Sequence, residues 1–422
     1  MVVVVSGRYA LFGATNQIFM KILQINKFYY RRGGADQHFL DLAELLKNNG
    51  HEVSVFSMKD KRNEKTPDSK YFVSHREFGK FNLGAYFRPF KTVYSCEAKR
   101  KIKKLIKDKK PELAHLHLIY HHLTPSILPV LKKNRIPVVA TLHDWKYLCP
   151  NYLLFTQEKV CERCKGGKYS NCLRHRCIHN SVLQSALATM EAYFHHSRKY
   201  YEKYIDLYIA PSEFVKNKFV EFGYPAEKIV VLPHFLPDSF VKNLQKNTQP
   251  AMPLVFSYIG RLSPEKGIRR LCEIWLEQNI PYRLEVFGTG PQEKEIMALA
   301  NKSDGRIIKR GFIPRGKIFE DYGKFCATIV PSACYETFGL SVLESLFAGV
   351  PCIVNDLGGL SEFTRKTAAV IGFSLHKPET LLPALQKVLE PKFREEAVRF
   401  AADYPTVEDY YQKLLSIYRD LL

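Results

Sequence analysis

The stretch Pro331-Ser-Ala-Cys-Tyr-Glu-Thr-Phe-Gly-Leu-Ser-Val-Leu-Glu-Ser-Leu-Phe347 decides how the chain is organised. Ahead of it stands the short apolar run 327–330, Ala-Thr-Ile-Val. Beyond Gly339 the apolar residues change period: Leu340, Leu343 and Phe347, with Val342 and Leu346, recur at spacings of three and four. The order is therefore strand, loop, helix. Glu336 falls in the loop and Glu344 within an apolar helix, where a charge is costly to bury unless something hydrogen-bonds to it. A helix start also presents unpaired backbone N–H groups and the positive end of a dipole, which suits a phosphate. Taken alone, the two glutamates are better explained by a loop cap and an ion pair; partners elsewhere in the chain reverse that reading.

Working outward, the same alternation recurs. Strands are expected at 21–25, 52–57, 112–118, 137–142 and 207–211, and again at 254–259, 283–288, 306–309, 327–330, 351–354 and 369–373, with helix-period segments between them. Such alternation builds parallel sheets with helices on both faces, and ligands then lie at the carboxyl ends of the strands. Two series imply two doubly wound domains, 20–235 and 250–404, facing across a cleft. A tail, 405–422, is amphipathic and able to pack back on the first domain. Residues 1–19 precede a second methionine, Met20, that opens a good strand; they are expected to be an extension outside the fold.

The chain has 422 residues and a formal charge of +21, which calls for an anionic partner: phosphate-bearing substrates, an anionic membrane surface or nucleic acid. Residues 99–110 carry eight Lys or Arg around a stripe of Ile102, Leu105 and Ile106, either a solvated helix face or a surface resting on anionic lipid. No nucleic-acid module accompanies the charge, and no run long enough for a transmembrane helix is present. A G-x-G-x-x-G fingerprint is absent, which argues against a nicotinamide enzyme.

Candidate site residues cluster at strand ends. Gly33-Gly34 follows the first strand and lets backbone approach a ligand closely. His117 and His143 end two further strands, the latter followed by Asp144. Gly260-Arg261 and Lys266-Gly267 put two cations five residues apart in a strand-to-helix loop, a match for a diphosphate. Cys149, Cys161, Cys164, Cys172 and Cys177 lie within a polar insertion, 146–180. Thiolates at these spacings can surround one tetrahedral zinc that supplies the order burial cannot; free thiols are the alternative.

Gly260-Arg261-Leu262…Glu265-Lys266-Gly267, Pro331-Ser332…Glu336-x7-Glu344 and Gly358-Gly359…Glu362 together resemble the donor half of the retaining glycosyltransferase family 4, of GT-B fold. Gly33-Gly34 and His143-Asp144 match the family's acceptor half, and the cysteine-bearing segment after Asp144 resembles bacterial members acting in surface polysaccharide assembly. The resemblance implies that Arg261 and Lys266 bind the diphosphate of a nucleotide sugar, and that Glu344 holds the ribose. Glu336 and His143 would meet the transferred sugar. Gly33, Gly34, Gly260 and the backbone of Phe338, Gly339 and Leu340 would cradle phosphate, and Phe312 and Ile313 would touch the base. It further implies a lipid-linked saccharide or polysaccharide acceptor, no catalytic metal, no nucleic acid, and a cytoplasmic enzyme able to sit on the inner face of the membrane. Asp36 stands where the family often has Glu after the glycine pair. A nucleotide-sugar 2-epimerase is the near alternative, and a basic zinc-containing nucleic-acid-binding protein the one from another class.

Overall fold

A computed structural model describes residues 19–75, 92–238 and 254–422; most of the expected N-terminal extension and the polar stretch 242–253 lie outside these. Two six-stranded sheets organise the chain. The first contains β1 (Lys21–Ile25), β2 (Glu52–Phe56), β3 (Leu113–Leu116), β4 (Val138–Thr141), β7 (Leu207–Ala210) and β8 (Ile229–Val231), in the order β2-β1-β3-β4-β7-β8. A hairpin of β5 (Phe155–Thr156) and β6 (Lys159–Val160) stands apart within the cysteine-bearing insertion. The second sheet contains β9 (Val255–Ile259), β10 (Arg283–Phe287), β11 (Ile307–Gly311), β12 (Ala327–Val330), β13 (Cys352–Asn355) and β14 (Val370–Phe373), in the order β11-β10-β9-β12-β13-β14. Every pairing within both sheets is parallel.

Parallel strands need crossovers, and the intervening helices cover both faces, which is why β3, β4, β12 and β13 are buried at every position rather than at alternate ones. These are the two doubly wound domains expected from the alternating pattern, in the arrangement that the resemblance implies. β8 and the hairpin escaped the sequence pattern because two or three residues are too few to show a period. Ahead of β7 stand two helices, Val182–Ser197 and Tyr200–Tyr204, separated where Lys199 takes a left-handed φ of 51°.

The tail helix Val407–Arg419 opens on a capping box, Thr406 with Asp409, and lies on the N-terminal sheet. Tyr410, Tyr411, Leu414, Leu415 and Tyr418 pack with Met20, Ile22, Leu113, Val139 and Ile209. The last helix of the chain thus completes the core of the first domain. At about 1.5–3 kcal/mol for each large apolar side chain buried, the attachment is strong. The two domains also touch through the organising loop. Trp145 Nε1 donates to the Tyr335 carbonyl (2.9 Å), Ser212 Oγ to the Thr337 carbonyl (2.8 Å) and the Phe214 amide to Glu362 (2.6 Å). Glu362, an acidic residue in the first turn of the helix Leu360–Lys366 where it complements the dipole, is therefore also an interdomain acceptor.

Candidate active site

The carboxyl ends of both sheets open onto one cleft of about 2580 Å³. Gly33, Gly34, His143, Gly260, Arg261, Lys266, Phe312, Ile313, Glu336, Phe338, Gly339, Leu340 and Glu344 all line it. These residues come from loops spread over more than 300 positions and from both domains, and the fold brings them to one place.

On the C-terminal wall, β9 delivers Arg261 and the following turn delivers Lys266. Gly267 closes that turn with φ +69°, and a Cβ there would stand 1.9 Å from the Pro331 carbonyl oxygen. Only glycine lets the Lys266 turn lie so close to the loop that carries Glu336. Lys266 Nζ donates to Glu336 Oε1 at 2.5 Å, and Ser332 Oγ donates to the same oxygen. Arg261 pairs with Glu265, which also accepts from Ser263 Oγ at 2.7 Å. Burial pushes the Glu336 carboxyl upward, but Lys266, Ser332 and Arg261 more than offset it, so it stays ionised below its ordinary range. Burial likewise pulls Lys266 down, and Glu336 returns it above its usual value. The wall thus holds two cations whose partners are carboxylates of the same wall, at the entrance of the helix Leu340–Phe347. An incoming dianion can take over those cations without their travelling. Gly34 faces this helix across the cleft: a Cβ on it would lie 3.1 Å from Leu340 Cδ1.

The N-terminal wall is made of imidazoles. His143 Nε2 lies 2.8 Å from His117 Nδ1, and His117 Nε2 lies 2.9 Å from Gln24 Oε1. An amide oxygen only accepts, so His117 carries its proton on Nε2 and accepts at Nδ1, and His143 donates from Nε2. Nδ1 of His143 is left as an acceptor. His115 stacks behind His117 at 4.6 Å and bonds Tyr418 Oη (2.6 Å) and Thr141 Oγ1 (2.7 Å). His38 and His234 lie 4.0 Å apart with their rings tilted by 34°, and His234 also stacks on His143. Burial, reinforced for His38, His117 and His143 by the neighbouring imidazoles, drives all five below their ordinary range, His115 and His234 to about 3. They are neutral.

His117 was expected to face the cleft; instead it is 1% exposed and stands behind His143. Asp36 is buried and accepts from Asn26 Nδ2 at 2.9 Å, so its carboxylate serves the loop. Gln24, His38 and His234 were not nominated by sequence. Gln24, a buried polar residue inside β1, was the available signal. None of the five insertion cysteines forms a disulfide, and Cys149 Sγ donates to Asn151 Oδ1 at 3.0 Å. Among the described residues no three or more of His, Cys, Asp and Glu converge as a metal-holding group. Nor is any described helix long and apolar enough to cross a membrane.

Comparison with known proteins agrees with this geometry. Residues 32–240 match the family model Glycosyltransferase Family 4, and residues 240–403 match Glycosyl transferases group 1. An uncharacterised 42.6 kDa protein of the cps region of Klebsiella pneumoniae is 23% identical over 82% of this chain and 88% of its own length. Lipopolysaccharide 1,2-N-acetylglucosaminetransferase of Salmonella typhimurium is 26% identical over 44% of this chain and 54% of its own. In fold, Anabaena HepE, solved with UDP-glucose, superposes with a TM-score of 0.64 at 18% identity, covering 95% of this chain and 100% of that one. With a family 4 half followed by a group 1 half around one cleft, the chain belongs to the glycosyltransferases of GT-B fold.

Proposed function

We propose that the protein is a retaining glycosyltransferase that moves a sugar from a nucleotide-diphosphate sugar to a lipid-linked or polysaccharide acceptor in cell-surface glycan assembly. The observation that carries this is the Lys266–Glu336 pair with Arg261 beside it, at a helix entrance facing Gly33-Gly34. Breaking the bond between the sugar's anomeric carbon and the β-phosphate leaves negative charge on the phosphate. Arg261, Lys266 and the amides at the head of the helix Leu340–Phe347 stand ready to stabilise that charge. Glu336, released from Lys266, then faces the sugar hydroxyls, and Glu344 the ribose. His143 accepts a hydroxyl hydrogen bond at Nδ1. The acceptor hydroxyl forms the new bond on the same face and its proton passes to the departing phosphate oxygen, so no protein base is required. Phe312, 71% exposed at the end of β11, offers a flat apolar partner to a base. The UDP named for the Anabaena structures and the lipopolysaccharide role named for the Salmonella relative support the donor and acceptor classes. On this reading the enzyme works in the cytoplasm, at the inner face of the membrane.

A thermal-shift screen of nucleotide diphosphates and nucleotide sugars tests the donor, since a ligand of the folded form raises its melting temperature. The anomeric configuration of the product, read by NMR, tests retention. A screen in which nothing binds, or an inverted product, overturns the corresponding part. A structural zinc on Cys149, Cys161, Cys164, Cys172 or Cys177 remains proposed from spacing. It predicts about one equivalent of zinc in purified protein, and metal-free protein with every thiol titratable would end it.

A further inference from the structure

The two walls of the cleft differ in how their cations are held. On the C-terminal wall Arg261 and Lys266 each lie against a carboxylate. On the N-terminal wall Lys27, Arg32 and Arg100 line the cleft, and among the described residues no carboxylate forms an ion pair with any of them. Lys27 is 8% exposed, with its ammonium 3.6 Å from the centre of the Tyr120 ring. Arg32 lies over Phe28 at 4.6 Å. Burial draws the Lys27 ammonium down to about 7, against the pull of the nearby carboxylates of Asp144 and Asp36, so a further anion set against it would restore its charge.

Beside these cations runs the helix Val182–Ser197, and its polarity is inverted. The buried positions include Ser185, Thr189, Glu191 and His195. The residues turned into the cleft include Leu183, Leu187 and Met190, at i, i+4 and i+7 on one face. Leu183 is 57% exposed and Met190 39%. A helix of a globular domain ordinarily turns such a stripe to the core, and a stripe left in a cleft marks a place for an apolar ligand. The cationic and apolar parts adjoin. Lys27 lies on Tyr120, Tyr120 packs edge-on against His121 at 5.1 Å, and His121 reaches Glu191 of the helix at 4.0 Å.

Cations beside an apolar stripe fit an amphiphile with a charged head. We propose that this wall binds the lipid diphosphate that carries the acceptor saccharide: Lys27, Arg32 and Arg100 take the phosphate oxygens, and Leu183, Leu187 and Met190 take the first isoprenoid or alkyl units. The proposal rests on the glycosyltransferase reading and narrows its acceptor to a lipid-phosphate carrier, which sets a free polysaccharide aside.

Calorimetry on the full chain tests it with three probes: farnesyl diphosphate, inorganic pyrophosphate and farnesol. Each is measured in the natural protein and in Arg261→Ala, which weakens the competing donor site. Farnesyl diphosphate is expected to bind at least tenfold tighter than pyrophosphate in both proteins. Arg32→Gln with Arg100→Gln should weaken it tenfold or more. Leu183→Ser with Leu187→Ser should weaken farnesyl diphosphate and leave pyrophosphate unchanged; both pairs are surface changes that spare the core. Equal affinity for the two diphosphates, indifference to the leucine changes, or loss of farnesyl diphosphate in Arg261→Ala alone would each overturn the proposal. Retention on phosphatidylglycerol vesicles that depends on the same leucines, without binding of farnesyl diphosphate, would assign the face to the membrane surface and overturn it as well. A protein that binds farnesyl diphosphate as expected but no nucleotide would sink the donor reading and leave this site standing.

Discussion

The two domains share one sheet plan and differ in how their halves of the cleft are built. The C-terminal wall is ionic and local: Arg261, Glu265, Lys266, Ser332 and Glu336 come from two adjoining loops and neutralise one another. The N-terminal wall is aromatic and dispersed. Of the 14 histidines in the chain, all but His376 precede residue 235. Five of them pack ring against ring into a neutral column that begins at the cleft and ends on the tail helix. A wall that carries charge can stabilise a charged leaving group; a wall of neutral imidazoles with fixed tautomers can orient hydroxyls. The division of labour implies that damage to each wall has a different signature.

The largest effect is expected on the ionic wall. Arg261→Ala or Lys266→Ala should lower turnover by about 10²–10³-fold, the scale of losing one preorganised charge-stabilising group. The folding transition should hardly move, because Arg261 is more than half exposed and Lys266 lies at the cleft face. Unaltered turnover with a native melting profile would remove the leaving-group role. A melting point that falls with activity would mean that these cations hold the loop rather than the ligand.

This contrast also explains what could be seen in the sequence. Arg261, Lys266, Glu336 and Glu344 were legible because each sits in a short motif whose neighbours lie within about ten residues. The strand–helix alternation exposed both sheets for a similar reason, since periodicity is a local property. His38 and His234 were not legible, because one lies on the helix Gly34–Asn48 and the other beyond β8, and they meet the His117–His143 pair only once the domain is assembled. His117 was misplaced by the rule that strand ends face the cleft; it immediately follows β3, whereas His143 stands two residues beyond the end of β4, and it lies behind His143. The inverted polarity of the helix Val182–Ser197 was hidden as well: which face is buried depends on what packs there.

A second difference should appear with acid. The buried histidines are neutral in the native protein and take up protons once the chain unfolds, in the ordinary range near pH 6.5. Their native values are lower, about 3 for His115 and His234. The unfolded chain therefore binds more protons between these limits. The stabilisation is complete above about pH 6.5 and is lost as pH falls toward the native values. The loss is about 1.4 kcal/mol per pH unit for each histidine that remains neutral. Hydrogen exchange at pH 7 and pH 5 checks this by domain. Amides of β1, β3 and β4 should lose protection while those of β9 and β12 keep theirs. Equal loss in both sheets would break the comparison.

Tyr418 isolates the far end of the column. Its hydroxyl bonds His115 Nδ1 at 2.6 Å in a buried setting, so Tyr418→Phe leaves that nitrogen without its partner at unchanged shape. The expected cost is about 1–3 kcal/mol of unfolding free energy, measured in denaturant. The same change in Tyr193, which is 44% exposed, should cost less than that. If the two substitutions cost the same, the tail helix is held by its apolar face alone.

The near end of the column is tested by Gln24→Leu. Gln24 Oε1 fixes the proton of His117 on Nε2, and His117 in turn makes His143 a donor at Nε2 and an acceptor at Nδ1. Without the amide oxygen, His117 can hold its proton on either nitrogen, and His143 spends part of its time in the tautomer that cannot accept a sugar hydroxyl. The expected result is a fall in kcat of about tenfold, or about 1.4 kcal/mol, at unchanged nucleotide affinity, because the ionic wall is untouched. Gln24→Glu keeps an acceptor at that position and should recover most of the rate. If Leu and Glu were equally slow, the role of residue 24 would be packing, and the orientation of His143 would have to come from His234, the other ring stacked on it.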